Sequence, residues 1–408
     1  PYWYRFSAQG ARSASGRART APRPGDHLAQ LKIAVASCSN YEVGYFSAYR
    51  HMAEEAPDVA VFLGDYIYES SRTGPAAANI VRHHDRPGQI SDLTGYRNRY
   101  ALHRMDADLQ ALHHAAPAIM TWDDHEVQND YSGQWSMSVS ESVEDFRRRR
   151  AAAYQAFYEH MPLRRRSIPR GPDMRIYDRL RFGDLAEFHV LDGRQYRSIQ
   201  PCPTETSRRG HVVTDACTER TDPARTMLGR TQEAWLHDGF RRASARWTVM
   251  AQDLLIAPLV QRDLAGVEGH YTDGWDGYPA TRDRMLSALA AARTPNPVFL
   301  GGDIHSYWVT DLKADFRNPD SATVATEFVG TSITSDGPPY ELAMAGLPQN
   351  PHVRFFDSRP RGYMSLTFTH DRLTTRLQTI SDRRDPHATL STLKTFVVEA
   401  GRPGAVEA

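Results

Sequence analysis

An α/β fold with helices packed against sheets is the class this sequence predicts, and three observations predict it. Short apolar runs of strand length recur from Asp26 onward, segments of helical spacing lie between several of them, and no run approaches the 18 uninterrupted apolar residues of a membrane span. The 408 residues, 40% of them hydrophobic, suffice for one large domain or two to three small ones with a well-buried core. Lys+Arg and Asp+Glu are equal at 49 each, which argues against stable nucleic-acid binding through a broad basic face and leaves only a local positive site around an anion. Lysine occurs only at Lys32, Lys313 and Lys394, a compositional bias from which no function follows.

In chain order, PYWYRFSAQG alternates aromatic and polar residues as a strand inside a fold does, without Met or a signal-peptide pattern, as in a trimmed or processed piece. Residues 12 to 26 are small, basic and turn-rich, a connection that places a domain boundary near Asp26. The strand-like runs are then KIAVASC, VAVFLGD, AIMTWDD, LAEFHVLD, WTVMAQD, NPVFLGGD and ATEFVGTS. Helical spacing with few breakers marks YFSAYRHMAEEA, GYRNRYALHRMDADLQALHHA, ESVEDFRRRRAAAYQAFYEHM, GRTQEAWLHDGFRRASA and TRDRMLSALAAAR. RGYMSLTFTHDRLTTRLQTI reads as a hairpin turning at His370 and Asp371, and HATLSTLKTFVVEAG as a closing helix or strand. Cys202 and Cys217, with 14 residues between them in a polar segment, form a disulfide worth about 3 kcal/mol in an oxidising compartment, or stay two loop thiols in a cytosolic protein. Cys38 is then unpaired and asks for its own explanation.

The strands end in potential ligands. Cys38 ends the first, Asp65 the second with Tyr66 and Tyr68 just beyond, and Asp123, Asp124 and His125 the third; Gln252 and Asp253 follow WTVMA, and Asp303 and His305 follow NPVFLGG. Ligands of open α/β sheets bind beyond the carboxyl ends of the strands, so these groups are expected to converge on one polynuclear site. Glycines before Asp65 and Asp303 are expected to let the backbone turn sharply there.

SCSNYEVGYF, PDVAVFLGDYIYE, TWDDHEVQNDY, LDGRQYRSIQPC, GWDGYPATRDRML, GGDIHSYW and EFVGTSITSDG, in this order, resemble the secreted alkaline phosphatases of the PhoD type, in the calcineurin-like metallophosphoesterase superfamily, over roughly residues 28 to 400. The resemblance implies two stacked mixed β-sheets flanked by helices (27–408). It also implies that residues 1–26 are the last strand and exit linker of a preceding β-sandwich, and that a site at the shared sheet edge holds one iron(III) and two calcium ions. Matching the motifs assigns Cys38, Asp65, Tyr68, Asp303 and His305 to iron. Thiolate and tyrosinate would compensate the charge of a hard cation, and Asp65 would bridge two ions. Calcium wants several oxygen ligands, for which Asp124, Asn129, Gln252 or Asp253, and Asp276 are candidates. The family often has Gln-Gln where this chain has Gln252-Asp253, and the aspartate still offers oxygen while adding a negative charge. Asp123 reads as a ligand or as a loop anchor.

The resemblance further implies hydrolysis of phosphomonoesters and phosphodiesters by a metal-bridged hydroxide in line with the leaving oxygen. His125 and Asp124 would act in catalysis, His125 by protonating the leaving alkoxide or stabilising the phosphoryl oxygens. Arg194 and Arg197 would clamp phosphate or pair with a carboxylate at the site edge. Substrates would be small phosphoesters, nucleic-acid ends, teichoic-acid-like polymers or phospholipid, for a monomer exported by a twin-arginine route. The alternative is a phospholipase D-like phosphodiesterase on the same metals: a C-terminal segment 387–400 packed over the ions would favour small esters, and an open apolar rim would favour lipid. The Arg147–Arg150 run reads as a solvated helix face and the His pairs at 83–84 and 113–114 as surface. The absence of a G-x-S-x-G elbow or P-loop leaves serine-hydrolase and NTPase chemistry without support.

Overall fold

The computed structural model describes residues 2–262, 266–318 and 320–408. Two seven-stranded mixed sheets stack face to face. The first contains β1 (Gln30–Ala36), β2 (Val59–Leu63) and β3 (Ala118–Thr121). The second contains β4 (Asp178–Phe182), β5 (Ala186–Val190), β6 (Trp247–Ala251), β7 (Pro297–Gly301), β8 (Tyr307–Lys313), β9 (Thr323–Val329) and β10 (Val353–Asp357). The chain then returns to the first sheet with β11 (Arg361–Thr369), β12 (Arg372–Ile380), β13 (Leu390–Glu399) and β14 (Val406–Glu407). The orders are β14-β13-β12-β11-β1-β2-β3 and β10-β8-β9-β7-β6-β5-β4. β1, β2 and β3 are mutually parallel, as are β5, β6, β7 and β9, so two sets of carboxyl ends meet at one edge of the stack.

Alternation of side chains decides which layer each residue fills. Ile33, Val35, Val59, Val61 and Leu63 point between the sheets with Phe188, Val190, Val249, Val298 and Leu300. Their neighbours Ala34, Ala36, Ala60 and Phe62 face outward under α1 (Ser47–Glu54), α2 (Leu93–Arg104), α3 (Ala107–Ala115) and α4 (Val143–His160). Met250 and Phe299 face α5 (Gly229–Arg242) and α6 (Pro279–Ala292) on the other side. Both faces of the central strands are covered, which is why they read as unbroken apolar runs; each fully buried Val, Leu, Ile or Phe stabilises the fold by about 1.5–3 kcal/mol.

Several expectations change. The long helical run from Gly95 is two helices, because Asp106 caps α3 by accepting from the N–H groups of Asp108 and Leu109 at 3.0 and 3.1 Å. The closing segment is a strand, β13, paired with β12 and β14. Within the turn-rich N-terminal connection, Gly16–Ala18 pairs with Tyr2–Tyr4. Arg150 of the four-arginine run is buried on the Gly133 carbonyl and Asp173, while Arg148 and Arg149 pair with Glu144, Asp145 and Glu141. The disulfide stands as expected, between Cys202 and Cys217.

The His pairs are not surface pairs either: His84 is buried, and His113 packs flat on Phe62 and contacts the Tyr66 hydroxyl at 2.8 Å. Burial, with help from Arg104, pushes His113 down to about 3. A histidine held neutral in the fold and titrating near 6.5 when unfolded contributes stability that is complete above pH 6.5 and lost as pH falls toward 3. His113→Phe is therefore expected to lessen the acid dependence of unfolding free energy between pH 6 and 4.5 by about 1.4 kcal/mol per pH unit, read from urea unfolding at a series of pH values. Parallel pH profiles for the two proteins would contradict it.

Candidate active site

The carboxyl ends of β1, β2, β3, β5, β6 and β7 carry the ligand-type residues to one edge, beside a cavity of about 920 Å³. Asp65, Asp124, His125, Asn129, Asp303 and His305 line it. The backbone is strained there: of ten non-glycine residues with positive φ among the described residues, Cys38, Asp65, Asp130, Asp303 and His305 belong to this edge. Left-handed conformations of this kind cost about 1–3 kcal/mol each and persist where surrounding structure holds them. Gly64 is in the left-handed region and a Cβ on it would lie 2.3 Å from that of Asp123, so the expected sharp turn and a close approach coincide. Gly301 and Gly302 have ordinary φ; they are small because a Cβ would meet the Leu254 carbonyl and the Ser37 hydroxyl. Close packing, not turning, requires glycine before Asp303.

Four overlapping groups of ligand atoms emerge, each mutually within 4.8 Å: Cys38, Asp65 and His305; Asp65, Asp124 and His125; Asp123, Asp124 and Asp303; Asp124, Asp130 and Asp273. Asp65 and Asp124 join them into one chain. Tyr68 adjoins the first group, its hydroxyl donating to Asp65 Oδ2 at 2.8 Å and lying 3.3 Å from His305 Nε2 and 2.6 Å from the Ser335 hydroxyl. His305 Nδ1 bonds the Asp336 carbonyl at 2.7 Å, which turns Nε2 to the cluster. Burial pushes His305 down to about 4, a neutral ring suited to a ligand.

The anionic groups are under-compensated. Burial, reinforced by neighbouring carboxylates, pushes the carboxyls of Asp65, Asp123, Asp253 and Asp303 up, and burial with Asp65 pushes up Cys38 and Tyr68. Asp123 Oδ2, Asp124 Oδ1 and both oxygens of Asp253 are buried without a hydrogen-bond partner. Buried charge and unsatisfied oxygen in this density, with thiol, phenol, imidazole and carboxylate at strand tips, fit cations as the missing partners.

Arg194 does not stand at the open face where a phosphate clamp would. It is fully buried, with Nε on Asp123 at 2.5 Å, Nη1 on Asp273 at 2.7 Å and Nη2 on Asp303 at 3.2 Å, so its donors are spent on carboxylates. Arg197 likewise binds Asp273 and the Tyr131 carbonyl. Gln252 lies outside the cluster: its amide closes on Leu254 and accepts from the Trp275 indole at 3.2 Å. Asp276 lines the cavity but joins none of the four groups, accepting from Arg282 at 2.7 Å and the Leu259 N–H at 2.8 Å. The carboxylate that TDGWDGY contributes is Asp273, three residues earlier. Asp253 sits behind the cluster, 3.4 Å from Arg194.

Sequence reasoning missed Glu69, Glu126, Asp130 and Asp273. Glu69, buried directly after Tyr68, bonds His125 Nδ1 at 2.6 Å and accepts from the Asn129 N–H at 3.1 Å. Burial opposes the charged imidazole, but Glu69, Asp65 and Asp124 outweigh it and raise His125. Glu126 accepts from the N–H groups of Asp65, Tyr66 and Asp123 at 3.1, 2.6 and 2.8 Å and so fixes the loops after β2 and β3 together. The only sequence signal for these four was adjacency to residues already singled out.

The PhoD-like phosphatase family model matches residues 33–377. Alkaline phosphatase D of Bacillus subtilis (strain 168) is 40% identical over 412 residues, spanning 99% of this chain and 68% of that protein. A solved structure of PhoD, 40% identical, superposes with a TM-score of 0.91 over 100% of this chain and 77% of that chain. The matched segment runs from β1 into β12 and contains every residue of the cluster, and on that evidence the chain belongs to the PhoD-like phosphatase family.

Proposed function

We propose that this protein hydrolyses phosphomonoesters and phosphodiesters at a cation cluster, with iron(III) held by Cys38, Asp65, Tyr68 and His305 beside Asp303, and calcium by Asp65, Asp124, Asn129, Asp130 and Asp273. As a family member the chain is a phosphoric ester hydrolase. The observation that carries the finer reading is the place of Asp65 in two ligand groups at once, one with a thiol and one carboxylate-rich. Such ions would supply Lewis-acid neutralisation of the phosphoryl oxygens and activate the attacking water. His125, tied by Nδ1 to Glu69, offers Nε2 toward the cavity and carries the proton that a leaving alkoxide takes. Arg194 holds Asp123, Asp273 and Asp303 in mutual register without touching substrate. The disulfide supports an oxidising compartment outside the cytosol.

A phospholipase D-like reading on phospholipid has its own supporting observation. Segment 387–400 lies in the first sheet rather than among the residues lining the cavity, whose wall includes Leu255, Leu259, Ile304, Trp308 and Leu342. Turnover of p-nitrophenyl phosphate, its bis-ester and phosphatidylcholine, with elemental analysis for iron and calcium and a visible thiolate or tyrosinate band, tests both. Ester turnover with iron, calcium and the band supports the first reading. Phosphatidylcholine outpacing both small esters favours the second, and full activity without iron or calcium overturns the metal assignment.

A further inference from the structure

At the end of the strands opposite the catalytic cavity, His27, Asp184 and His370 come together from three separated segments. His27 follows the N-terminal connection, Asp184 lies in the β4–β5 turn and His370 in the β11–β12 turn, so the group touches the N-terminal segment and both sheets. His27 Nδ1 is 3.2 Å from Asp184 Oδ2, His370 Nε2 is 3.4 Å from Asp184 Oδ1, and the two rings stack with centroids 4.9 Å apart. One ligand atom from each residue lies within 4.8 Å of the others, with the two imidazole nitrogens facing different oxygens of the one carboxylate, a spacing that side-chain rotation can close to the separation of about 3.3 Å between donors of a tetrahedral zinc-type ion.

His370 Nε2 itself is shielded from solvent and makes no hydrogen bond, although its side chain is 35% exposed and the atom faces the Asp184 carboxylate at 3.4 Å. The backbone around the group is already fixed. Asp184 accepts from the Leu28 N–H at 3.0 Å and donates its own N–H to the Asp26 carbonyl at 2.8 Å. Arg246 donates from Nε to the His370 carbonyl at 2.6 Å and from its N–H to the Asp184 carbonyl at 2.8 Å. Two imidazoles and one carboxylate suit zinc, copper or nickel in preference to calcium or magnesium, and solvent can reach the group because His27 is 72% exposed.

We propose that His27, Asp184 and His370 bind one divalent transition cation of the zinc class, completed by solvent, and that this ion staples the connection preceding His27 onto the ends of both sheets. The site is chemically separate from the catalytic cluster and shares no residue with it.

The test uses the full chain with its catalytic metals in place and Zn²⁺ alone as the probe. Equilibrium dialysis with elemental analysis is expected to find one additional zinc per chain. Thermal unfolding should rise by about 3 °C at a hundredfold excess of Zn²⁺ over its Kd, and trypsin cleavage after Arg17 and Arg19 should slow. His370→Ala and His27→Ala are each expected to abolish all three responses while p-nitrophenyl phosphate turnover is unchanged; the exposed His27 carries the test if the His370 variant folds poorly. The same zinc stoichiometry and thermal response in wild type and His27→Ala, or no additional zinc at millimolar concentration, would overturn the proposal.

Discussion

Asp65→Asn is expected to lower kcat of phosphoester hydrolysis by about 10³-fold or more, a loss of at least about 4 kcal/mol of transition-state stabilisation. Asp65 stands in both the Cys38–His305 and the Asp124–His125 groups, so an amide there removes one anion from each. The backbone reason for its position is untouched, since Gly64 and the Glu126 hold on the Asp65 N–H both remain. Metal-stripped Asp65→Asn is expected to melt no lower than stripped wild type, because burial already disfavours a charge at this position. Steady-state kinetics, iron and calcium content and calorimetry of both forms check this together. Wild-type turnover in the variant would remove Asp65 from the machinery, and a lower melting temperature of the stripped variant would make the loss one of folding.

Arg194→Met is expected to destabilise the metal-loaded protein by about 3–5 kcal/mol, a fall in Tm of about 4–6 °C for a chain of this length. The guanidinium is fully buried and divides its donors among Asp123, Asp273 and Asp303; removing it leaves buried carboxylates without their shared partner. Burial opposes the charge on Arg194, but Asp123, Asp273 and Asp124 outweigh it and hold it firmly protonated. Lysine would restore one charge without the three-way fork, so Arg194→Lys should recover only part of the loss. Were Arg194 a phosphate clamp instead, Arg194→Met would raise KM and leave Tm unchanged, and calorimetry beside kinetics separates the two.

Much of this was legible in the linear chain. Apolar runs such as VAVFL and PVFLG announced strands, and Cys38, Asp65, Tyr68, Asp124, Asn129, Asp303 and His305 reach the cluster or its cavity from the strand ends where the sequence placed them. Misreadings arose where two residues of one type stood close together. Asp273 and Asp276 are both carboxylates in one loop, and only the structure shows that Asp273 joins a ligand group while Asp276 pairs with Arg282 and the Leu259 N–H. His84 and His113 looked like surface because a doublet has no period, yet their neighbours His83 and His114 leave them to pack inward.

By itself the sequence determined the α/β class, the ends at which chemistry gathers and the family, because these follow from local periodicity and from motifs whose residues are near neighbours. Only the tertiary structure decided which carboxylates share a cation-sized space, that Arg194 is buried among three of them, and that His27, Asp184 and His370 meet at the far end. Many of those contacts join residues far apart in the chain, 71 positions for Asp123 with Arg194 and 186 for Asp184 with His370, set by how two sheets stack, and no local pattern encodes the distance between atoms on different strands.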